Sequence, residues 1–262
     1  MTTKQLTQNQ SRELRRSNHS IKAEPSERWV RTKFGGEFVA DSRRVLLVWE
    51  TGHIPRYYFP RQDVCQDRLE PATDTADEAG KIYWDVRVGD RLAKNAAWSY
   101  LNPTGEFAAL KDYVALAWPK MDHWYEEEEE VFVHPRDPYK RVDAIPSSRH
   151  VRVVIADQTV ADTHRPTLLF ETSLPTRYYI PPEDVRMDLL EAARSTTRCP
   201  YKGVASYWSV RLGDKVYRNI VWSYQEPIPE CPKIKGLLCF YNEKVDLYVD
   251  GELQPRPQTP WS

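Results

Sequence analysis

One short segment in the second half of the chain holds three side chains that can do chemistry: residues 199–203 read Cys-Pro-Tyr-Lys-Gly. Pro200 holds its own φ at about −65° and Gly203 permits a tight exit, so the segment can present its side chains in a fixed way. The charge of Lys202 can favour the thiolate of Cys199, which would make this cysteine a nucleophile. Lys202 can instead bind a carboxylate or a phosphate as a point charge. A structural turn with a buried cysteine and a solvated lysine is the third interpretation.

A second group of polar residues precedes this segment. Glu171 ends an apolar run, and Arg177, Tyr178 and Tyr179 follow it. The same residue types recur in the first half as Glu50, Arg56, Tyr57 and Tyr58. A glutamate–arginine pair beside tyrosine hydroxyls can line a polar pocket, or it can form a buried ion pair that sets the register of two strands. Because the group also occurs in the half without the Cys-Pro-Tyr-Lys-Gly segment, the structural interpretation is favoured.

Motifs for metal ions and for nucleotides are missing from the sequence. The histidines show no HxH, HxxxH or HExxH spacing and the cysteines form no CxxC pair, so we expect no metal site. Nucleotidyl transfer with two metal ions requires paired carboxylates, yet the chain contains no Asp-x-Asp and no P-loop glycine pattern. The sequence does not identify a cofactor.

The charge balance and composition narrow the class of protein. The chain has 37 basic and 38 acidic side chains, so it lacks the basic excess of proteins that bind nucleic-acid backbones. Its apolar runs have the length of strands, which argues against a membrane span. Residues 1–10 lack the apolar core of a secretory signal. The cysteines form no regular disulfide framework. We therefore expect a cytoplasmic protein that binds neither nucleic acid nor membrane.

The positions of these residues depend on an internal duplication. Residues 39–64 match residues 160–185 without a gap, and about half of the aligned positions are identical. Residues 83–103 match residues 207–227 to a similar degree, and a short insertion separates the two blocks in the second copy. Residues 1–25 are polar with few apolar anchors, so we expect a disordered tail there. The match predicts a first repeat at 26–134, a linker at 135–149 and a second repeat at 150–262.

Each repeat is predicted to be mainly antiparallel β. Apolar and polar side chains alternate over residues 207–212, the Gly213-Asp214 pair suits a tight turn, and residues 215–224 return as the partner strand. The expected fold is thus two tandem copies of a small antiparallel β domain, barrel-like or sandwich-like. A pseudo-two-fold relation would let the copies pair within the chain, which predicts a monomer.

One short helix is expected in each copy. Pro181-Pro182-Glu183-Asp184 supplies the prolines and acidic residues that suit the start of a helix. Val185, Leu189 and Leu190 then recur at helical spacing. The spacing predicts a helix that begins near residue 181 and extends through residue 190.

The order of the motifs resembles a known family. The chain contains VAD(S/T), an apolar strand that ends in glutamate, RYY(I/F)P, CPYKG, YWSV, NxxWSY and a closing FYxxxVDxYVDG. This set is similar to the domain of unknown function family 427, in tandem, from about residue 31 to residue 251. The resemblance implies a compact, mainly β fold without a settled activity, and the family label implies a nucleotidyltransferase-like protein. The first copy departs from the pattern at residues 75–79, Thr-Ala-Asp-Glu-Ala, so we expect it to have lost the site.

These observations predict one working pocket, in the second repeat, that binds a small anionic molecule and can also act on it. Lys202 and Arg177 are expected to meet the anion, and Cys199 and Lys202 are the catalytic candidates. The predicted lining is Glu171, Arg177, Tyr178, Cys199, Tyr201 and Lys202. The alternatives are a non-catalytic protein-interaction module, a cysteine-dependent enzyme and a nucleotidyltransferase-like enzyme.

Overall fold

The two sequence repeats correspond to two structural units. The computed structural model describes residues 20–73 and 80–262, and the chain divides between Pro135 and Arg136. Each unit contains both blocks of the internal repeat. The duplication in the sequence is therefore a duplication of a folded unit.

Unit 1 is built of strands, and two of them, Val30–Phe34 and His123–Glu126, alternate between buried and more exposed side chains. In one central strand Val30, Thr32 and Phe34 are buried while the residues between them are half-buried. The strands are β1 (Ile21–Pro25), β2 (Val30–Phe34), β3 (Glu37–Ser42), β4 (Leu46–Glu50), β5 (Arg56–Pro60), β6 (Leu69–Pro71), β7 (Lys81–Val88), β8 (Arg91–Tyr100), β9 (Tyr113–Leu116), β10 (His123–Glu126) and β11 (Glu129–Glu130).

Unit 2 has the same succession of strands, but its sixth strand is longer than the sixth strand of unit 1. Its strands are β12 (Val142–Pro146), β13 (Val151–Ile155), β14 (Gln158–Thr163), β15 (Thr167–Glu171), β16 (Arg177–Ile180), β17 (Leu190–Cys199), β18 (Gly203–Leu212), β19 (Lys215–Pro227), β20 (Leu238–Phe240), β21 (Asp246–Val249) and β22 (Glu252–Leu253). The predicted turn at Gly213-Asp214 joins β18 to β19, and Gly213 has the positive φ that such a turn requires.

The two units share one sheet topology. In unit 1 a seven-stranded sheet has the order β1-β4-β5-β9-β8-β7-β6 and a four-stranded sheet has the order β11-β10-β2-β3. In unit 2 the corresponding orders are β12-β15-β16-β20-β19-β18-β17 and β14-β13-β21-β22. All neighbouring strands in these sheets are antiparallel. The large sheet of each unit is therefore open, with an edge strand at each end.

The main core of each unit lies between its two sheets. In unit 2 the buried cluster joins Val151 and Val153 of the small sheet to Ile180, Val210 and Val221 of the large sheet. Unit 1 has the equivalent cluster. Of the two forms left open by the sequence, the structure therefore has the sandwich-like one, with two packed sheets.

A second apolar cluster covers the other face of each large sheet, and this is the face that carries the polar residues of interest. In unit 2 the cluster contains Leu169, Tyr179 and Trp222. The indole N–H of Trp222 donates to the hydroxyl of Tyr179 at 3.1 Å, and the two rings are T-shaped at 6.3 Å. Tyr58 and Trp98 repeat this contact in unit 1. Trp98 and Trp222 are thus buried core residues.

The helical segments of the described residues are short 3₁₀ helices of three to six residues. The predicted helix of the second copy begins as expected with Pro182–Asp184, but Val185 is extended and pairs with Ala161, and Leu190 starts β17. Backbone pairing at Val185 therefore overrides the helical spacing. No helix in the described residues is long and apolar enough to span a membrane. The 3₁₀ helices are Arg61–Asp63, Gln66–Arg68, Gly105–Leu110, Trp118–Lys120, Pro182–Asp184, Met187–Leu189 and Pro232–Ile234.

The predicted tail and the predicted linker both supply strands. Residues 1–19 lie outside the described residues, but Ile21–Pro25 pairs with β4 along its whole length as the edge strand of the large sheet. Val142–Pro146 pairs with β15 in the same way in unit 2. The unit boundary at residue 135 coincides with the predicted start of the linker. Residues 136–149 belong to unit 2, because β12 is the edge strand of its large sheet.

Candidate functional site

The Cys-Pro-Tyr-Lys-Gly segment is the turn of a long hairpin at the edge of the large sheet of unit 2. β17 ends at Cys199 and β18 begins at Gly203, and these two residues pair across the hairpin. The amide of Lys202 donates to the carbonyl oxygen of Cys199 at 3.3 Å. Gly203 has a φ of +108°, and a Cβ there would lie 3.2 Å from the carbonyl oxygen of Glu226. Glycine is required by the backbone conformation and by the approach of β19.

The ammonium group of Lys202 turns into the protein. Its Nζ lies 2.5 Å from Oε2 of Glu171, and the side chains of Lys202 and Glu171 are only 10% and 7% exposed. Nζ of Lys140 lies 3.5 Å from Oε1 of the same carboxylate, and the Lys140 side chain is 23% exposed. Glu171 is therefore held between two ammonium groups, of which Lys140 is nearer to solvent.

This environment keeps Lys202 protonated. Burial disfavours the charged ammonium, but the negative charges that Cys199 and Glu171 can carry outweigh this effect, so the pKa of Lys202 lies above its usual value. A protonated lysine has no lone pair to act as a base or a nucleophile. Lys202 can bind an anion in this state, but it cannot accept a proton near neutral pH.

Tyr201 ties the turn to the segment that precedes β12. Its hydroxyl accepts a hydrogen bond from the amide of Asp137 at 2.8 Å. Burial raises the pKa of Tyr201 to about 12, so the phenol stays neutral near pH 7. The hydroxyl thus has a structural partner, and it holds residues 136–141 against the hairpin.

Cys199 is half-buried and its thiol is free of a disulfide. It packs against the second apolar cluster together with Tyr207 and Ile228. Cys199 and Lys202 lie in the same turn, where the amide of Lys202 donates to the carbonyl oxygen of Cys199. The structure therefore brings together Glu171, Lys202, Cys199 and, through the turn, Tyr201.

Arg177 belongs to a different ion pair. Its guanidinium donates two hydrogen bonds to Glu243, at 2.8 and 2.7 Å, and the two side chains are 8% and 0% exposed. The hydroxyl of Thr259 donates to the same carboxylate at 2.6 Å. The ring centroids of Trp222 and Trp261 lie 5.5 and 5.6 Å from the guanidinium carbon. The expected Glu171–Arg177 pair is not the one that the structure contains, and the charge of Arg177 is balanced.

Tyr178 points to the other face of the large sheet. Alternation along β16 places Arg177 and Tyr179 on the face of the second cluster, while Tyr178 and Ile180 contribute to the core between the sheets. Tyr178 is thus separated by the sheet from Lys202 and Glu171. The structure therefore does not bring Tyr178 together with the rest of the predicted lining.

Unit 1 contains a similar charged cluster around Glu50. Arg56 Nη1 lies 2.8 Å from one carboxylate oxygen, Lys81 Nζ lies 3.4 Å from the other, and the Glu50 side chain is 5% exposed. Burial opposes ionisation of Glu50, but Lys81 and Arg56 outweigh it, so the pKa of Glu50 is lowered. Each unit therefore has one buried glutamate at the end of corresponding strands, with two cations around it.

The lysine of the first copy comes from another position. Residues 75–79, which replace Cys-Pro-Tyr-Lys-Gly in the alignment, lie outside the described residues. Lys81 pairs with Tyr100 on the neighbouring strand, as Ala205 pairs with Tyr224 in unit 2. The first copy has Glu78 at the position that aligns with Lys202. A lysine nevertheless contacts the glutamate of unit 1, because Lys81 pairs with Glu50 from a different position.

Two residues of these charged clusters, Glu243 and Lys140, were not predicted from the sequence. Glu243 lies in the variable part of the closing FYxxxVDxYVDG motif, and Lys140 lies in the segment taken as a linker. The first repeat has a proline, Pro119, where the aligned strands place Glu243. Comparison of the two copies therefore contained no signal for either residue.

The fold and this internal duplication agree with the comparison to known families. The family model described as Domain of unknown function (DUF427), NTP_transf_9, matches residues 22–127 and 143–251. The two matches cover most of the chain and correspond to the two units. The chain therefore belongs to this family, as a tandem member. A comparison with curated proteins gives no match.

Proposed function

We propose that unit 2 binds a small anionic molecule, a carboxylate or a phosphate, at Lys140 and Lys202, next to the thiol of Cys199. The observation that carries this proposal is the charge of the cluster. Two ammonium groups lie within 3.5 Å of the single carboxylate of Glu171, which leaves one positive charge in excess among these three groups.

The partial burial of the cluster strengthens the attraction. Two unit charges at 4 Å interact with about 1 kcal/mol in water and about 4 kcal/mol at the effective dielectric constant near a protein surface. Lys140 is 23% exposed and Lys202 is 10% exposed, so an anion can approach Lys140 while Lys202 reinforces the field behind it. Asp137 lies on the same segment as Lys140, and its carboxylate accepts a hydrogen bond from the amide of Tyr139.

The geometry reduces the predicted lining to fewer residues. Arg177 is paired with Glu243, and Tyr178 is on the opposite face of the sheet. Tyr201 acts by holding the segment of Lys140 in place. The proposed contacts with the ligand are thus the ammonium groups of Lys140 and Lys202, with the Cys199 thiol beside them.

The test is a thermal-shift screen followed by calorimetry with the intact chain. The probes are inorganic phosphate, acetate, a 2-oxo acid, a sugar phosphate and a nucleoside monophosphate. A ligand at about 100 times its Kd adds about 2.7 kcal/mol of stability, which is several degrees in Tm for a unit of this size. Lys140→Gln should weaken binding by roughly ten- to a hundredfold, because a hydrogen bond to a charged group contributes about 1.5–3 kcal/mol.

Unit 1 offers the matched control. Lys81→Gln removes an ammonium group from the Glu50 cluster and should leave the affinity of unit 2 for the probe unchanged. If no anion in the panel binds, or if Lys140→Gln binds as tightly as the unaltered protein, unit 2 does not use this cluster for anions. Equal losses in Lys140→Gln and Lys81→Gln would also contradict the proposal, since they would indicate an indirect effect.

A further inference from the structure

Two histidines and an aspartate come together on the outer face of the small sheet of unit 2. Val151 of β13 pairs with Thr163 of β14, so the residues just outside this pair, His150 and His164, stand opposite each other. Asp162 lies two residues before His164 and therefore on the same face. The three residues are separated by up to fourteen positions in the sequence, and only strand pairing makes them neighbours.

The side chains already have the spacing of a potential chelating group. The imidazole rings of His150 and His164 are stacked, with centroids 4.2 Å apart and planes at 14°. Nε2 of His150 lies 2.7 Å from Oδ1 of Asp162. One ligand atom from each of the three residues lies within 4.8 Å of the others. Metal–ligand bonds of about 2.0–2.2 Å place donor atoms about 3.3 Å apart in a tetrahedral site, so small side-chain rotations suffice.

The backbone beneath this group is fixed. The amide of His150 donates to Oδ1 of Asp250 at 3.0 Å, and the amide of Asp250 donates to the carbonyl of His150 at 2.8 Å. The arginines adjacent in sequence to the two histidines have carboxylate partners: Arg149 pairs with Asp250 and Arg165 pairs with Asp184. Arg152, across from Asp162, has its guanidinium over the ring of Tyr248.

We propose that His150, Asp162 and His164 form a binding site for a divalent transition-metal ion of the zinc class. Imidazole nitrogens with one carboxylate suit Zn²⁺, Co²⁺, Ni²⁺ and Cu²⁺, whereas Mg²⁺ and Ca²⁺ prefer oxygen ligands. Three protein ligands leave at least one position for water or for another ligand. The group contains none of the short histidine or cysteine spacings that predict a metal site, because strand pairing brings His150 to the other two residues.

Unit 1 has the same arrangement without the two histidine ligands. The alignment places Trp29, Asp41 and Arg43 where unit 2 has His150, Asp162 and His164. The indole N–H of Trp29 donates to Asp41 at 2.6 Å, and the guanidinium of Arg43 lies 4.5 Å from the centre of the Trp29 ring. Neither an indole N–H nor a guanidinium can coordinate a metal ion. Stacking and the aspartate bond therefore do not need a metal, and the histidines add the capacity to bind one.

This internal comparison defines the decisive variant. The intact, tag-free protein is titrated with Co²⁺ and Zn²⁺, by calorimetry and by the visible absorption of Co²⁺. We expect one equivalent to bind through nitrogen and oxygen ligands, with an affinity order of Cu²⁺ over Zn²⁺ over Co²⁺ and no competition from Mg²⁺. His150→Trp with His164→Arg installs the unit 1 residues and should weaken Zn²⁺ binding by at least about tenfold, since even the loss of an outer partner costs that much.

Two further variants keep the result decisive. Asp162→Asn removes the carboxylate with minimal change of shape and should also weaken binding, and it serves if the double variant does not fold. His123→Gln removes another histidine beside a carboxylate, Glu130, and should bind as the unaltered protein does.

Histidine NMR signals that shift on Zn²⁺ addition should be those of His150 and His164. Undiminished binding in the folded double variant or in Asp162→Asn, or a thiolate charge-transfer band with Co²⁺, would overturn the proposal.

Discussion

Lys81 Nζ lies 3.4 Å from Oε1 of Glu50, and this pair reproduces in unit 1 the lysine–glutamate contact that Lys202 and Glu171 make in unit 2. The two lysines come from different positions. Lys202 lies in the turn before β18, while Lys81 is the first residue of β7. A buried carboxylate at the end of the strand needs a cation nearby, because an unpaired buried charge is strongly destabilising. The contact is thus present in both units although the local sequences differ.

Loss of the lysine in unit 2 should destabilise that unit. Among the described residues, Lys202→Met leaves Glu171 with the longer contact to Lys140, so we expect a loss of about 3 kcal/mol, the low end for a broken buried pair. Urea unfolding at pH 7 measures it. Combining Lys202→Met with Glu171→Leu should recover most of the loss, because no charge is left buried.

The equivalent change in unit 1 is the control for this prediction. Glu50 keeps Arg56 at 2.8 Å when Lys81 is replaced, so Lys81→Met should cost less, about 1–2 kcal/mol. A Lys202→Met protein as stable as the unaltered one would show that the pair makes no net contribution.

The ion pair of Arg177 and Glu243 should make stability depend on pH in the acid range. Burial opposes ionisation of Glu243, but the bonds from Arg177 and Thr259 outweigh it and lower its pKa to about 2. The folded-state pKa lies below the unfolded value, so the contribution is complete above about pH 5 and is lost as the pH falls towards 2. Urea midpoints at pH 7, 5, 4 and 3 should fall along this range.

Glu243→Gln tests the assignment of this pH dependence. The variant should be less stable at pH 7 by about 3 kcal/mol or more, because Arg177 remains buried without its counter-charge. The difference from the unaltered protein should shrink as the pH approaches 2. A difference that stays constant over the whole range would assign the acid dependence to other carboxylates.

The cysteines should react with a mild alkylating agent in an order set by exposure and by pKa. Cys65 is exposed and Cys199 is half-buried, so these two should react first in the folded protein. Burial raises the pKa of Cys239 to about 12, so its thiol stays protonated near pH 8 and should react slowly. Mass spectrometry after timed alkylation gives the order. A Cys199 that reacts no faster than Cys239 would remove the cysteine-dependent enzyme from consideration.

Two glycines of the same sheet should differ in their tolerance of a methyl group. Gly203→Ala places a Cβ 3.2 Å from a carbonyl oxygen at a φ of +108°, so we expect a loss of at least about 2–3 kcal/mol. Gly213→Ala at a φ of +56° meets no atom within 4 Å, and it should cost only about 1–2 kcal/mol for the left-handed conformation. Equal losses, measured by thermal unfolding, would show that the approach of β19 is not restrictive.

Much of the architecture could be predicted from the residue order. The duplication and the antiparallel strands around Gly213-Asp214 are encoded in local patterns that repeat between the copies. Such patterns are readable because alternation and turn residues act over a few positions. The predicted helix that begins near residue 181 is too long, because Val185 pairs with Ala161. A partner far away in the sequence overrides the helical spacing of the apolar residues.

The partners of the charged side chains were decided by the tertiary structure. Strand pairing joins His150 to His164, the closing segment supplies Glu243 to Arg177, and Lys81 reaches Glu50 from a position that no alignment of the copies indicates. Because side chains alternate along β16, Tyr178 lies on the opposite face of the sheet from Lys202 and Glu171, with which it was predicted to line a pocket. The sequence contains every side chain of these clusters, but a charge–charge or metal-binding contact depends on distances of a few ångströms. Those distances arise only when strands far apart in the chain pair and stack.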